Sequence, residues 1–276
     1  MGALPDEIQE SSGLLVFDTM LATHNDSGNS PEVYFLDSVS LEIQKKVRIS
    51  NAVNTDWEDM AQDDDFIYIA DIGNNTGSRR DLKVLRIPKS KIASSEALKA
   101  DIISFVYEDQ SEFRSTPNSD WDAEALYAGR DSLWIFTKQW QTQGTVVYAI
   151  PKIPGQHRAV RKGSLEVAGL ITGASSMVDQ AGILLSGYSR QLQPFVVLLH
   201  VDDDENGLGF KPEKRQIAIA FAQAEGIAVS ENGRVFLSTE AFSNRLITLP
   251  AGVYKFSVDP AGTEENPENK TGNIPK

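Results

Sequence analysis

The stretch Asn54 to Asn75, NTDWEDMAQDDDFIYIADIGNN, decides the fold. It opens with a polar lead-in, Asp56, Trp57, Glu58 and Asp59. A short turn over Gln62 to Asp65 follows, and then a β-branched and aromatic run, Phe66 to Ala70, that reads as a strand. The run ends in an acidic, amide-rich loop, Asp71 to Asn75. Weaker copies of this order recur along the chain, and helix periodicity is nearly absent.

The copies are anchored at Ser12-Gly13-Leu14, Glu58-Asp59-Met60, Glu124-Ala125-Leu126, Ser175-Ser176-Met177 and Glu225-Gly226-Ile227. Their spacings are 46, 66, 51 and 50 residues, near the roughly 40–50 of a propeller blade. Each anchor begins a series of short strands. The first unit offers about Gly13–Phe17, Met20–Thr23, Val33–Leu36 and Ile43–Ile49. The third offers Glu124–Tyr127, Ser132–Phe136, Val146–Ile150 and Ser164–Ala168. The fourth offers Ser176–Val178, Gly182–Ser186, Pro194–Val201 and Arg215–Ala220. Four antiparallel strands make one blade, and blades must pack around an axis to bury both faces.

The fifth unit lacks its outer strand, which Ala3–Ile8 can supply from the N-terminus. The expectation is therefore an all-β, five-bladed β-propeller, one domain over 1–258, its last blade closed by the N-terminal strand. The tail from 259 to 276, rich in Pro, Glu, Asn and Gly, reads as disordered. The segment SKIASSEALK, 90–99, reads as a short surface helix.

Composition bounds the partners. The chain has 276 residues, 41% hydrophobic and 24% charged, which is enough apolar material for a core. Its net charge of −13 and pI near 4.7 disfavour nucleic acid and anionic membrane surfaces and suit cations. There is no cysteine, so thiolate metal sites, disulfides and thiol catalysis are excluded. No apolar run is long enough to span a bilayer. The start, MGALPDEIQE, has neither a basic nor an apolar leader region, so no signal peptide is expected in the chain as written. A monomer is the expected state.

Innermost strands line a propeller's channel, and the anchors open those strands. Ser12, Glu58, Glu124, Ser175 and Glu225 are thus expected at one level, pointing at the axis. Three carboxylates in a narrow channel must take up protons or hold a cation. Calcium, which takes about 6–8 oxygens, suits three glutamates, two hydroxyls and water better than magnesium or zinc does. The alternative is a wet channel without an ion.

The loops after the second strands should crowd the same mouth. They bring His24, Asn25, Asp26, Asp71 and Lys138 as candidate catalytic residues. Asn74, Asn75, Arg79, Tyr188, Arg190, Glu240 and Arg245 are candidate ligand contacts, with Trp57, Trp121 and Trp140 as walls. His24 or Asp26 would be the base, and Lys138 with an arginine would bind an anion. Turn chemistry explains Asp26 and Asp71 equally well. Asp202, Asp204, Asn206, Gly207 and Glu213 match the spacing of a calcium loop, as a second, weaker cation site. It sits in a hairpin, however, where an acidic turn accounts for it.

The order Ser, Glu, Glu, Ser, Glu over five repeats resembles the ring of the calcium-dependent apyrases. Those are five-bladed propellers with an axial calcium that hydrolyse nucleoside di- and triphosphates. The resemblance implies that Ser12, Glu58, Glu124, Ser175 and Glu225 are the ion's ligands. Where the apyrases carry Asp-Asp-Arg-Thr-Gly, this chain has His24-Asn25-Asp26-Ser27-Gly28. HNDSGN (24–29), DWED (56–59) and DIGNN with Arg79-Arg80 are in turn similar to a family of secreted bacterial propellers without an assigned activity. That likeness implies export to a periplasmic or secreted location.

Two functions follow as expectations. One is a calcium-dependent hydrolase of a small anionic substrate, such as a phosphate ester, nucleotide or lactone. The other is a non-catalytic binding propeller with a structural ion, recognising a protein or glycan at the mouth.

Overall fold

The computed structural model describes residues 2–178, 182–200, 212–219, 221–243 and 248–258. They contain no α-helix; strands account for nearly all regular structure. The expected all-β propeller is what they form.

Twenty of the 23 strands sort into five sets of four. The first set is Ser11–Phe17, Met20–Asn25, Glu32–Asp37 and Ile43–Ile49. The second is Trp57–Gln62, Phe66–Asp71, Lys83–Pro88 and Asp101–Tyr107. The third is Ala123–Ala128, Ser132–Thr137, Gly144–Pro151 and Gly155–Glu166. The fourth is Leu170–Ser176, Gly182–Tyr188, Pro194–His200 and Glu213–Gln216. The fifth is Ala224–Val229, Arg234–Thr239 and Gly252–Ser257, completed by Gly2–Ala3. The first strands of the sets touch one another in sequence order, and the fifth touches the first, which closes a ring.

Burial follows from this geometry. A strand inside such a ring is covered on both faces, so its side chains alternate between two cores rather than between core and water. In Phe66–Asp71, Ile67 and Ile69 enter the core shared with the first set. Tyr68 and Ala70 enter the core shared with the third. Each of five apolar clusters lies between consecutive sets.

Several expectations are corrected. The closing strand is Gly2–Ala3 alone, paired to Val253 and Gly252. Past it, the Leu4 N–H still reaches Ala251 O at 2.9 Å and Ile8 is fully buried, so the segment packs without forming a ladder. The 90–99 segment is not a helix. A short 3-10 turn, Lys89–Lys91, leads into Ala97–Leu98, which pairs in parallel with Arg48 and Ile49. The third set's outer strand starts earlier than the expected Ser164. It runs from Gly155, and its first half pairs in parallel with Asp101–Tyr107 of the second set, joining the two into one eight-stranded sheet. The fourth set's inner strand ends at Ser176 rather than beginning there. The stretch 259–276 lies outside the described residues.

Candidate metal centre

All five inner strands carry a register shift near their start. Such a bulge re-aims the side chain at the extra residue. The residues at these shifts are Ser12, Glu58, Glu124, Thr172 and Glu225, every one buried. Ser175 is not among them. It stands three residues further along its strand, where its Oγ accepts the Val229 N–H at 3.0 Å. It lines a small cavity of about 70 Å³ with Leu14, Met60 and Leu126. The Ser175-Ser176 pair mimics Ser11-Ser12, and that likeness misplaces the fourth repeat. The residue that follows identifies the true position, since Gly13, Gly173 and Gly226 follow Ser12, Thr172 and Glu225.

One residue deeper, the positions are Gly13, Asp59, Ala125, Gly173 and Gly226. Four are glycine or alanine, which leaves room for one large side chain. At Gly13 any Cβ would strike the backbone of Asp59 and Met60, and at Gly226 the backbone of Leu14 and Gly13. The Asp59 carboxylate uses the space. Its Oδ2 accepts the N–H of Leu126 at 2.8 Å and of Ala174 at 3.0 Å, and its Oδ1 accepts the N–H of Met60 at 2.8 Å. One side chain thus ties the second, third and fourth inner strands together beneath the ring.

At the ring itself, the hydroxyls are committed to the protein. Ser12 Oγ donates to Glu58 O, and Thr172 Oγ1 donates to Ala224 O at 2.6 Å. Glu124 is committed too. Lys138 Nζ donates to both of its oxygens at 2.6 Å, and both side chains are buried. Glu58 and Glu225 have no protein donor among the described residues. Burial, followed by repulsion from neighbouring carboxylates, pushes the Glu58 carboxyl well above its usual range. Burial does the same at Glu124 and Glu225, with Lys138 opposing it.

The sequence reading passed over two rim residues, Asp56 and Asp122. Each lies two positions before a ring glutamate, in Asp56-Trp57-Glu58 and Asp122-Ala123-Glu124, and that shared Asp-x-Glu spacing was the available signal. Asp26, Asp56 and Glu58 each place an oxygen within 4.8 Å of the other two. Glu58, Asp122 and Glu124 do likewise. Gly73 makes room for the first group: any side chain there would strike the Asp56 and Glu58 carboxylates. Asp122 is satisfied by the Asn74 N–H at 2.7 Å and Trp140 Nε1 at 2.9 Å. Burial and the nearby Asp26 and Asp122 charges push Asp56 up to about 7. Burial and Asp26 push Glu240 up to about 7.

Most candidate catalytic residues are engaged elsewhere. His24 is fully buried, with Nδ1 at 3.0 Å from Asn25 O and its ring edge-on to Trp57 at 5.4 Å. Burial holds it neutral, its pKa lowered to about 4, which does not suit a solvent-facing base. Asn25 Nδ2 donates to Glu7 O at 2.7 Å. Asp71 is buried between Arg79 at 2.8 Å and Lys83 at 2.9 Å. Asp26 alone of the set reaches the rim group.

The ligand contacts divide similarly. Asn74 accepts the Arg79 N–H at 2.9 Å, and Arg79 also donates to Gly73 O at 2.7 Å. Asn75 is exposed, and Arg190 donates to Trp140 O at 2.9 Å. Tyr188 lies against Lys138, its ring centroid 5.3 Å from Nζ. Trp57 is core and Trp121 packs on Tyr107, so Trp140 alone of the three borders the cluster. Asp202, Asp204, Asn206, Gly207 and Arg245 lie outside the described residues. Glu213 is described and pairs with Arg215 at 2.7 Å.

The five residues implied by the apyrase likeness therefore do not fit an axial calcium. Ser175 is elsewhere, the Ser12 hydroxyl donates to Glu58 O, and an ammonium holds Glu124.

No protein-family model and no curated protein matches the chain. Solved structures align at low identity. Hydrazine synthase from Kuenenia stuttgartiensis aligns at 11% identity over 95% of this chain and 66% of that one, with a TM-score of 0.45. The β-propeller domain of Cps50 (Swd1) from Myceliophteria thermophila aligns at 13% over 83% and 80%, with a TM-score of 0.43. A putative 6-phosphogluconolactonase from Bacteroides uniformis aligns at 12% over 96% and 71%, with a TM-score of 0.42.

Proposed function

We propose that the protein is a cation-dependent binding propeller. A divalent ion, calcium first, sits off the axis between Asp26, Asp56 and Glu58. The observation that carries this reading is that these three carboxylates converge within 4.8 Å of one another, and among the described residues no lysine or arginine forms a salt bridge with any of them. Calcium takes about 6–8 oxygens, so three carboxylates leave positions for water or for a partner's oxygens. Asp26 and Asp56 are half-exposed, so those positions face the mouth. A glycan or an acidic protein segment offers the oxygens needed. Extracellular calcium modules work at roughly 10⁻⁴–10⁻³ M affinity, which suits an exported protein.

Calorimetric titration tests the reading. The wild type should bind calcium, and Asp56→Asn, which removes a direct ligand, should weaken binding by at least about 10-fold, the lower end of what losing an outer-shell partner costs. An unchanged affinity in Asp56→Asn would remove this site from consideration. Chelator should also abolish capture of the glycan or protein partner.

A second reading, hydrolysis of a small anionic substrate, is favoured by Glu240. Its carboxyl, held near 7, can exchange a proton at neutral pH beside an ion that polarises a phosphoryl or carbonyl oxygen. Phosphate esters, nucleotides and lactones are the substrates to screen with calcium present. Glu240→Gln should then lose turnover while keeping the ion.

A further inference from the structure

We propose that the Lys138 ammonium is the resident cation of the propeller's axis, and that it confines the metal to the rim. This rests on the off-axis ion of the preceding reading only for the wild-type count. Lys138 is 5% exposed and its Nζ lies 2.6 Å from both Glu124 oxygens. The same nitrogen sits 4.8 Å from the Trp140 ring centroid and 5.3 Å from that of Tyr188. A carboxylate below and two aromatic faces beside it form the surroundings that hold a desolvated ammonium.

This geometry bears on metal binding because the two carboxylate groups share a member. Glu58 belongs both to Asp26–Asp56–Glu58 and to Glu58–Asp122–Glu124. It is 5% exposed, and among the described residues no protein donor reaches its carboxylate, so it is aimed, unpartnered, into both groups. The two groups differ in their cations. The second already contains a positive charge seated on Glu124. A divalent ion there would have to displace Nζ from both oxygens and stand close to a like charge in a desolvated setting. Among the described residues, no ammonium or guanidinium is seated on the first group.

Removing the ammonium should therefore create a second metal site. Glu124 would be freed, Asp122 would keep its two hydrogen bonds with lone pairs to spare, and Glu58 already points inward. Lys138→Met keeps the length and apolar contacts of the stem while deleting the charge.

The experiment counts calcium ions per folded chain by equilibrium dialysis at pH 7.5, with circular dichroism to confirm the fold. Wild type should hold one ion, Lys138→Met two, and Lys138→Arg one. Glu124→Gln in the wild-type background should keep its single ion, because Glu124 is not a ligand when Lys138 is present. Adding Glu124→Gln to Lys138→Met should return the count from two to one. A folded Lys138→Met that still holds one ion overturns the proposal. So does loss of the wild-type ion in Glu124→Gln, an arm that stands even if Lys138→Met does not fold. A wild type without calcium would refute the off-axis reading by itself. Lys138→Met that then gains one ion, lost again with Glu124→Gln, would still uphold the resident ammonium. No ion in either protein would overturn both.

Discussion

Asp59→Ala will cost roughly 3–6 kcal/mol of folding stability, the loss of three hydrogen bonds being offset in part by removal of a carboxyl that burial already pushes well above its usual range. The substitution strands three N–H groups, of Met60, Leu126 and Ala174, that the carboxylate now satisfies. Each buried unpaired donor costs about 1–3 kcal/mol, and the vacated volume lies among glycines and alanine that cannot fill it. Asp59→Asn separates the two contributions. Its amide oxygen can still serve Leu126 and Ala174, while its NH₂ faces the Met60 N–H and loses that bond. The asparagine variant should therefore lie well above the alanine variant in a urea titration. Equal midpoints for wild type and Asp59→Ala would show that the carboxylate does not bind the strands together.

The metal-free protein should lose stability as pH rises, the reverse of ordinary acid denaturation. Asp56 and Glu240 are both held at about 7 in the folded chain, above the usual range for carboxyls. Groups raised on folding contribute stability that is full below their unfolded pKa, near 4, and is lost as pH climbs through 7. Glu58, Glu124 and Glu225 shift in the same direction. After discounting Asp56 for its solvent exposure, the first two together cost on the order of 4 kcal/mol by pH 8. That corresponds to roughly 10 °C in melting temperature.

His24 acts oppositely. Its pKa is lowered to about 4, so it removes stability as pH falls below 6.5 and bounds the favourable window on the acid side. Calcium at a hundredfold over its Kd should return about 2.7 kcal/mol at pH 8 and release protons on binding. A melting temperature that is flat from pH 5 to 8 in chelator would contradict this placement of carboxylates.

How much of this was legible in the sequence varies by residue. Glu58, Glu124 and Glu225 stood out because each precedes a strand-forming run and carries charge where a core residue is expected. Their recurrence located three of the five units. The fourth could be misplaced because hydroxyl residues are common at strand ends, and only the glycine after Thr172 separates it from Ser175. His24 looked available because a histidine beside Asn25 and Asp26 resembles a loop. The strand in fact continues through Asn25, and Trp57 covers the ring. The pairing of Lys138 with Glu124 joins neighbouring inner and second strands of one sheet, so it follows from register and not from composition. The register shift between Ala123 and Ala125 was invisible in the sequence.

The parallel ladder between Asp101–Tyr107 and the start of Gly155–Glu166 bears on how such a chain can change over evolutionary time. Repeat arrays ordinarily grow and shrink one unit at a time, since each unit meets its neighbours only through side chains. Here the second and third units share backbone hydrogen bonds from Ile103 to Tyr107 at the outer rim. Excising either would leave a long bare edge on the other. With the shorter ladder of Arg48 and Ile49 on Ala97–Leu98, the first three units form one heritable block, and duplications or losses of blades among relatives should fall at the remaining seams.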